Sequence, residues 1–185
     1  MMDKRLFVVD NFYVNPDDVR NFALGVDYDL SSEWYKGKRS KEQYNFPGIQ
    51  EAFESIMGRK LKPLNEHGMC GRFQLLTSED PIVYHYDDQQ WAGMIYLTPD
   101  APVGSGTSLY KSKITGARRL EDPRIDESFP NGFYDSSQFE LMDQIGNVYN
   151  RLVIMDARCI HSASMYFGNN DNNCRLTHLF FFDHE

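Results

Sequence analysis

The feature that most constrains the fold is a succession of short apolar segments, separated by turn residues, that begins after Cys70. The segments are rich in β-branched and aromatic residues, and turn sequences such as Ser-Glu-Asp-Pro at 78–81 and the Asn-rich stretch at 168–173 interrupt them. This composition between such turns is typical of β-strands. We therefore predict strands at residues 72–77, 82–86, 91–97, 107–111, 152–156, 159–165 and 175–182.

Two amphipathic helices are predicted before this region. Asn15 and Pro16 suit the N-cap and the first position of a helix, and apolar residues recur at helical spacing as far as Gly25. Residues 48–60 carry a second apolar face. Residues 6–9 are expected to form a short strand and residues 139–145 a short helix. This order indicates a mainly β chain with flanking helices, namely a double-stranded β-helix (a cupin-like jelly roll) backed by the N-terminal helices.

Composition limits the class of protein. A chain of 185 residues can bury a sizeable core, so we predict that residues 1–185 form a single domain. The excess of 27 acidic over 19 basic residues disfavours nucleic acid as a partner. No stretch approaches the roughly 20 apolar residues of a membrane helix. Three irregularly spaced cysteines and a charged N-terminus without a signal-peptide pattern favour the cytoplasm, and the oligomeric state stays open.

The chemistry is concentrated around His85 and Asp87, which are separated by one residue. Alternate side chains of an extended segment point to the same side, so an imidazole nitrogen and a carboxylate oxygen can meet at one metal ion. A histidine from a distant strand would complete a 2-His-1-carboxylate site, which leaves positions open on a non-haem Fe(II). His161, which follows an apolar segment that turns at Asp156, is the histidine expected there. We predict His85, Asp87 and His161 as metal ligands and as the catalytic centre.

A lone His-x-Asp is also frequent in surface loops, so the surrounding segments decide between the two interpretations. They resemble the prolyl-hydroxylase-like branch of the Fe(II)/2-oxoglutarate-dependent dioxygenases. In that family the motif precedes a strand that ends in a Tyr-Leu-Asn-like sequence, a glycine-rich turn and a Gly-Thr strand. Here Met-Ile-Tyr-Leu-Thr stands at 94–98 and Gly-Ser-Gly-Thr-Ser-Leu at 104–109. The resemblance covers about residues 70–183, and residues 7–18 look like an uncharacterised subgroup of the superfamily.

The resemblance implies an enzyme that binds Fe(II), the cosubstrate 2-oxoglutarate and O2. Such an enzyme would hydroxylate a small molecule or a protein side chain while 2-oxoglutarate and O2 become succinate and CO2. Arg175 would hold the distal carboxylate of 2-oxoglutarate, because a guanidinium binds a carboxylate through two parallel hydrogen bonds. Thr177, on the same face of the strand, and Tyr96, at the position of a family tyrosine, would complete this site. The interval from His161 to Arg175 is longer than is usual in the family, and the Asn-rich turn can absorb the extra residues.

Two other interpretations stay open at the level of sequence. A cupin-like metal enzyme that does not use 2-oxoglutarate would share the fold, but it would give Arg175 no task beyond a structural salt bridge. A non-catalytic jelly-roll binding module would keep the motif without activity. For an enzyme, the segments 31–46 and 112–137 are candidates for a lid over the substrate.

Overall fold

The computed structural model describes residues 4–29 and 35–185. Residues 31–34 of the first candidate lid segment therefore lie outside the described residues. The helices are α1 (Pro16–Leu24) and α2 (Ile49–Met57). The strands are β1 (Leu6–Val9), β2 (Tyr28–Asp29), β3 (Lys38–Ser40), β4 (Arg72–Leu76), β5 (Trp91–Tyr96), β6 (Thr107–Ser112), β7 (Phe139–Ile145), β8 (Leu152–Asp156), β9 (His161–Ala163) and β10 (Arg175–Phe182).

The strands form two antiparallel sheets. The larger sheet has the order β1-β8-β5-β10-β4-β3-β2, and the smaller sheet has the order β7-β6-β9. Strand β10 pairs with β5 on one side and with β4 on the other, so its register is fixed from both edges. The two sheets and the helices confirm the predicted jelly roll, a mainly β fold with helices at its N-terminal end.

The larger sheet separates two interiors, because alternate side chains of each strand point to opposite faces. On one face the helices cover an apolar core, in which the ring of Phe53 lies 5.1 Å from that of Phe180 and 5.4 Å from that of Phe182. On the other face Met94 and Leu179 pack with Ile145 of the smaller sheet. Every second residue of β10 therefore belongs to the space between the sheets, and this space holds the candidate site.

The prediction of a helix at residues 139–145 was wrong. This segment is strand β7, which pairs with β6 along its whole length and carries a register shift opposite Leu109 and Tyr110. Only its first and last residues, Phe139 and Ile145, are buried. The buried positions therefore show neither the spacing of a helix nor the alternation of a strand. The available partner strand decides the structure, as is common for β-sheets.

The segment predicted as a strand at 82–86 joins no ladder. Its backbone pairing with the smaller sheet is a single antiparallel bridge between His85 and His161, and the ring of Tyr84 packs against those of Tyr110 and Phe139. None of the helices in the described ranges has the length and the apolar character required to cross a lipid bilayer. Cys70, Cys159 and Cys174 are buried free thiols.

Candidate active site

His85, Asp87 and His161 converge on one cavity, although they come from two distant segments of the chain. Reciprocal backbone hydrogen bonds join His85 to His161, with N–O distances of 3.0 and 2.8 Å, and the amide of Asp87 donates to the carbonyl of Ala157 at 2.9 Å. Two distant segments are thereby clamped side by side. One potential ligand atom from each residue lies within 4.8 Å of the other two. The structure therefore brings together the three residues that the sequence motif and the strand pattern predict.

The backbone orients both imidazoles toward the carboxylate. Nδ1 of His85 lies 3.0 Å from the carbonyl oxygen of Val83, and Nδ1 of His161 lies 2.9 Å from that of Cys159. A carbonyl oxygen only accepts hydrogen bonds, so each Nδ1 carries the proton and each Nε2 keeps a lone pair. The two Nε2 atoms face Asp87 at 3.7 and 3.6 Å. This is the orientation that histidine ligands of metals usually have.

The electrostatics of the three residues fit a cation. Burial, followed by the proximity of His85, lowers the pKa of His161 to about 4, so its ring is neutral at pH 7. Oδ2 of Asp87 is buried and has no hydrogen-bond partner. A buried carboxylate oxygen without a partner is costly, and a divalent ion between it and the two Nε2 atoms would remove this cost. The donor set of two nitrogens and one carboxylate suits Fe(II).

The three residues lie on the wall of a cavity of about 550 Å³. This volume is within the range of small-molecule sites, roughly 300–1,000 Å³. Met94, Leu76 and Leu179 give the cavity an apolar wall, and Arg175 lies on the same wall. Tyr35 and Lys36 from one candidate lid segment, and Phe133 and Tyr134 from the other, also line the cavity.

Arg175 has no acidic partner in residues 4–29 and 35–185. Its side chain is nearly inaccessible at 4% exposure, and its Nε donates to the carbonyl of Ser105 at 3.2 Å. One terminal nitrogen lies 3.9 Å from the sulfur of Met94, which is a weak acceptor. Tyr96 and Tyr166 lie beside it, with ring centroids 5.3 and 5.9 Å from the guanidinium carbon, and burial raises the pKa of both phenols, so neither supplies a negative charge. A buried guanidinium in this state is incomplete without an anion, and no structural salt bridge is found in the described chain.

Tyr96 and Thr177 border Arg175 but do not line the cavity. The hydroxyl of Tyr96 is 2.9 Å from Oγ1 of Thr107, and burial raises the pKa of Tyr96, so the phenol stays protonated. Oγ1 of Thr177 is buried and has no hydrogen-bond partner. Of the two predicted partners of a cosubstrate carboxylate, Thr177 is the one with an unused donor.

The pairing of the strands adds residues that the sequence pattern did not indicate. Arg39 of β3 lies opposite Gln74 of β4, Gln74 lies opposite Thr177 of β10, and Thr177 lies opposite Tyr96 of β5. Directly opposed residues project from the same face of a sheet, so these four form one polar row. Arg39 and Gln74 line the cavity, as does Tyr166. Residues 27–47 have no clear periodicity, so no sequence signal placed Arg39 on a strand.

Comparison with known proteins gives a family and a fold. A family model described as "Family of unknown function (DUF6445)" matches residues 2–182. No curated protein matches the sequence.

Several solved structures share the fold. HygX from Streptomyces hygroscopicus, solved with nickel, 2-oxoglutarate and hygromycin B, is 10% identical with a TM-score of 0.65, and the alignment covers 96% of this chain and 82% of HygX. A prolyl hydroxylase from Trichoplax adhaerens, in complex with a hypoxia-inducible-factor peptide, is 11% identical with a TM-score of 0.57 and coverages of 96% and 82%. A prolyl-4-hydroxylase from Pseudomonas putida is 14% identical with a TM-score of 0.51 and coverages of 96% and 91%. These structures confirm that the chain has the fold of the prolyl-hydroxylase-like branch.

Proposed function

We propose that this chain, which belongs to the DUF6445 family of unknown function, is an Fe(II)/2-oxoglutarate-dependent oxygenase that hydroxylates a small molecule or a protein side chain. The observation that carries the proposal is one cavity that holds both a 2-His-1-carboxylate group and a buried arginine without an acidic partner in the described residues. The fold supports it, since the HygX structure contains nickel and 2-oxoglutarate. That structure also contains hygromycin B, and the Trichoplax enzyme is bound to a peptide, so the fold accommodates both substrate types.

The metal would be held by Nε2 of His85, Nε2 of His161 and the carboxylate of Asp87. Bound iron would supply the activation of O2 that is coupled to the decarboxylation of 2-oxoglutarate to succinate and CO2. The carbonyls of Val83 and Cys159 fix the two imidazoles through their Nδ1 protons. Since the pKa of His161 lies near 4, this ring keeps its lone pair at neutral pH.

Arg175 would bind the distal carboxylate of 2-oxoglutarate. Its Nε already donates to the carbonyl of Ser105, which fixes the plane of the guanidinium. The terminal nitrogens are then free to form charge-assisted hydrogen bonds. The hydroxyl of Thr177 would add a further donor, and Leu76 and Leu179 would exclude water from the carboxylate.

The same observation weighs against the two competing functions. A cupin-like metal enzyme that binds no oxo acid leaves the guanidinium of Arg175 buried and uncompensated. A binding module without activity has no need of an unpartnered Oδ2 on Asp87 beside two oriented imidazoles. Bound Fe(II) would stabilise the carboxylate of Asp87, and bound 2-oxoglutarate would stabilise the guanidinium of Arg175.

Anaerobic titration with Fe(II), with and without 2-oxoglutarate, tests the proposal. We expect a weak visible metal-to-ligand absorption only when both are present, and succinate formation coupled to O2 consumption after admission of air. Asp87→Ala should lose Fe(II) binding and succinate formation. Asp88→Ala is the matched control, because it removes the same charge from the adjacent, exposed position.

Each negative outcome identifies a different error. If Asp87→Ala binds Fe(II) as well as the parent does, the ligand assignment is wrong. If the iron-loaded protein shows no visible absorption at saturating 2-oxoglutarate, it does not use this cosubstrate and the proposed function is wrong. Binding of both without succinate formation would identify a binding module.

A further inference from the structure

The cavity contains a second arginine without an acidic partner. Arg39 lies on β3, and its guanidinium carbon is 4.5 Å from the centroid of the Tyr35 ring and 5.8 Å from that of Phe181. Its Nε is buried and has no hydrogen-bond partner. Within the described part of the chain, no carboxylate forms an ion pair with it.

Several other arginines of the described chain have a carboxylate partner. Arg119 forms an ion pair with Asp156 at 2.8 Å, and Arg151 pairs with Asp10 at 2.6 Å. Arg175 and Arg39 line the cavity and have no such carboxylate among the described residues, so an external anion would compensate their charge. The proposed cosubstrate accounts for one of them.

Arg39 keeps its positive charge. Burial lowers its pKa to about 10, while Asp87 acts in the opposite direction and raises it, so the guanidinium is protonated at pH 7. The influence of Asp87 also shows that Arg39 is within electrostatic reach of the metal site. Asp87, however, is assigned to the metal and is not free to neutralise Arg39.

When Fe(II) and 2-oxoglutarate are bound, the charges of the site sum to zero without Arg39. With neutral imidazoles, the two positive charges of Fe(II) and the single charge of Arg175 balance Asp87 and the two carboxylates of 2-oxoglutarate. The charge of Arg39 is then left over beside the open part of the cavity. Lys36, whose Nζ lies 6.0 Å from the centroid of the Tyr134 ring, adds a second positive group near the lid segments.

From this geometry we infer that the substrate carries an anionic group, a carboxylate or a phosphate, which Arg39 binds while the apolar body of the substrate lies against Tyr35 and Phe181. This inference rests on the proposed function and names the substrate class of the same site. Net charge does not provide this selectivity, since the whole chain is acidic at −8. The local guanidinium must capture the anion, and its planar fork suits both carboxylate and phosphate.

The test uses aromatic probes on the protein saturated with Mn(II), as a surrogate for Fe(II), and with 2-oxoglutarate. Binding of benzoate, phenyl phosphate and uncharged benzamide is measured by calorimetry. Saturation with the cosubstrate keeps the probes away from Arg175. Since a hydrogen bond to a charged group is worth roughly a tenfold gain or more, we expect at least one anion to bind about tenfold more tightly than benzamide.

Variants test whether Arg39 is the residue that causes the preference for the anionic probes. Arg39→Gln should lose the preference for the anion and keep its affinity for 2-oxoglutarate within about twofold of the parent. Arg39→Lys, which retains charge without the fork, should keep part of the preference. Lys38→Gln is the matched control, because it removes a charge from the next position, where the lysine is paired with Asp171 at 2.8 Å.

The outcomes separate this inference from the proposed function. The inference is overturned if neither anion binds more tightly than benzamide, or if Arg39→Gln keeps the preference. It is also overturned if Arg39→Gln loses 2-oxoglutarate binding, because Arg39 would then belong to the cosubstrate site. If the parent fails to bind 2-oxoglutarate but still prefers the anions in an Arg39-dependent manner, the proposed function fails and the anion site stands.

Discussion

Replacement of Arg175 by leucine should affect the free and the loaded protein in opposite directions. In the free protein the guanidinium has one backbone acceptor, the carbonyl of Ser105, and no acidic partner in the described ranges. Leucine fills part of the same apolar space without a buried charge. Replacing a poorly compensated buried charge by an apolar side chain is often neutral or stabilising. We expect the free energy of unfolding of Arg175→Leu to be unchanged or higher by about 1 kcal/mol.

The affinity for 2-oxoglutarate should fall strongly in the same variant. The parent would make two charge-assisted hydrogen bonds to the distal carboxylate, each worth about 1.5–3 kcal/mol. Their loss corresponds to a roughly 10²- to 10⁴-fold weaker binding, at about 1.4 kcal/mol for each tenfold change. Fe(II) affinity should stay within about twofold, because His85, Asp87 and His161 are untouched.

The assay combines urea unfolding of the free protein with titration of the iron-loaded protein by 2-oxoglutarate. Arg175→Lys is the control for charge, since it keeps the cation and loses the planar fork. A variant that unfolds more easily but binds 2-oxoglutarate with less than a tenfold loss would refute the reasoning. Arg175 would then stabilise the fold and have no role in cosubstrate binding.

Three further changes probe individual contacts. Thr177→Val removes a buried hydroxyl without a partner, so it should stabilise the free protein by about 1 kcal/mol. The same change should weaken 2-oxoglutarate binding several-fold. An unchanged affinity for 2-oxoglutarate in a titration would exclude this hydroxyl from the cosubstrate site. His178 is buried, and burial lowers its pKa from 6.5 to about 3, so on acidification the unfolded chain takes up the proton first and stability falls from pH 6.5 toward 3. Between pH 6.5 and pH 5, urea unfolding should show a loss in the free energy of unfolding that is about 2 kcal/mol smaller in His178→Gln than in the parent. Equal losses in the two proteins would mean that His178 is not the titrating group. Gly106→Ala should unfold several degrees lower than the parent because its Cβ would meet the backbone of Ile145 and Asn147, whereas Gly104→Ala, with open space around it, should not; equal melting temperatures would contradict this.

The convergence of His85, Asp87 and His161 was predictable because these residues lie in local patterns. His85 and Asp87 are two positions apart in an extended segment, and His161 follows an apolar strand closed by a turn. These relations depend on strand geometry alone. The same geometry excludes His178, which lies an odd number of positions from Arg175 and points into the core with the ring of Phe73 4.2 Å away.

The rest of the cavity depends on which strands become neighbours. Arg39 and Gln74 face the site only because β3 pairs with β4, and residues 38–40 contain no apolar residue that would mark them as a strand. Strand β7 was predicted as a helix for a related reason, since its five central residues are exposed and follow the pairing offered by β6. Nonlocal pairing of this kind leaves little trace in one sequence.

The position of Arg175 at the start of β10 has a consequence for insertions and deletions. The turn before it is closed locally, with the side chain of Asn173 accepting from the amides of Asn169 and Asn170. A change in the length of residues 168–173 alters this turn and leaves the pairing of β10 with β4 and β5 intact. A single residue added within β10 instead shifts every following side chain to the opposite face, and it would move Leu179 from the cavity wall toward the helices. Tolerance of length variation should therefore end abruptly at Arg175.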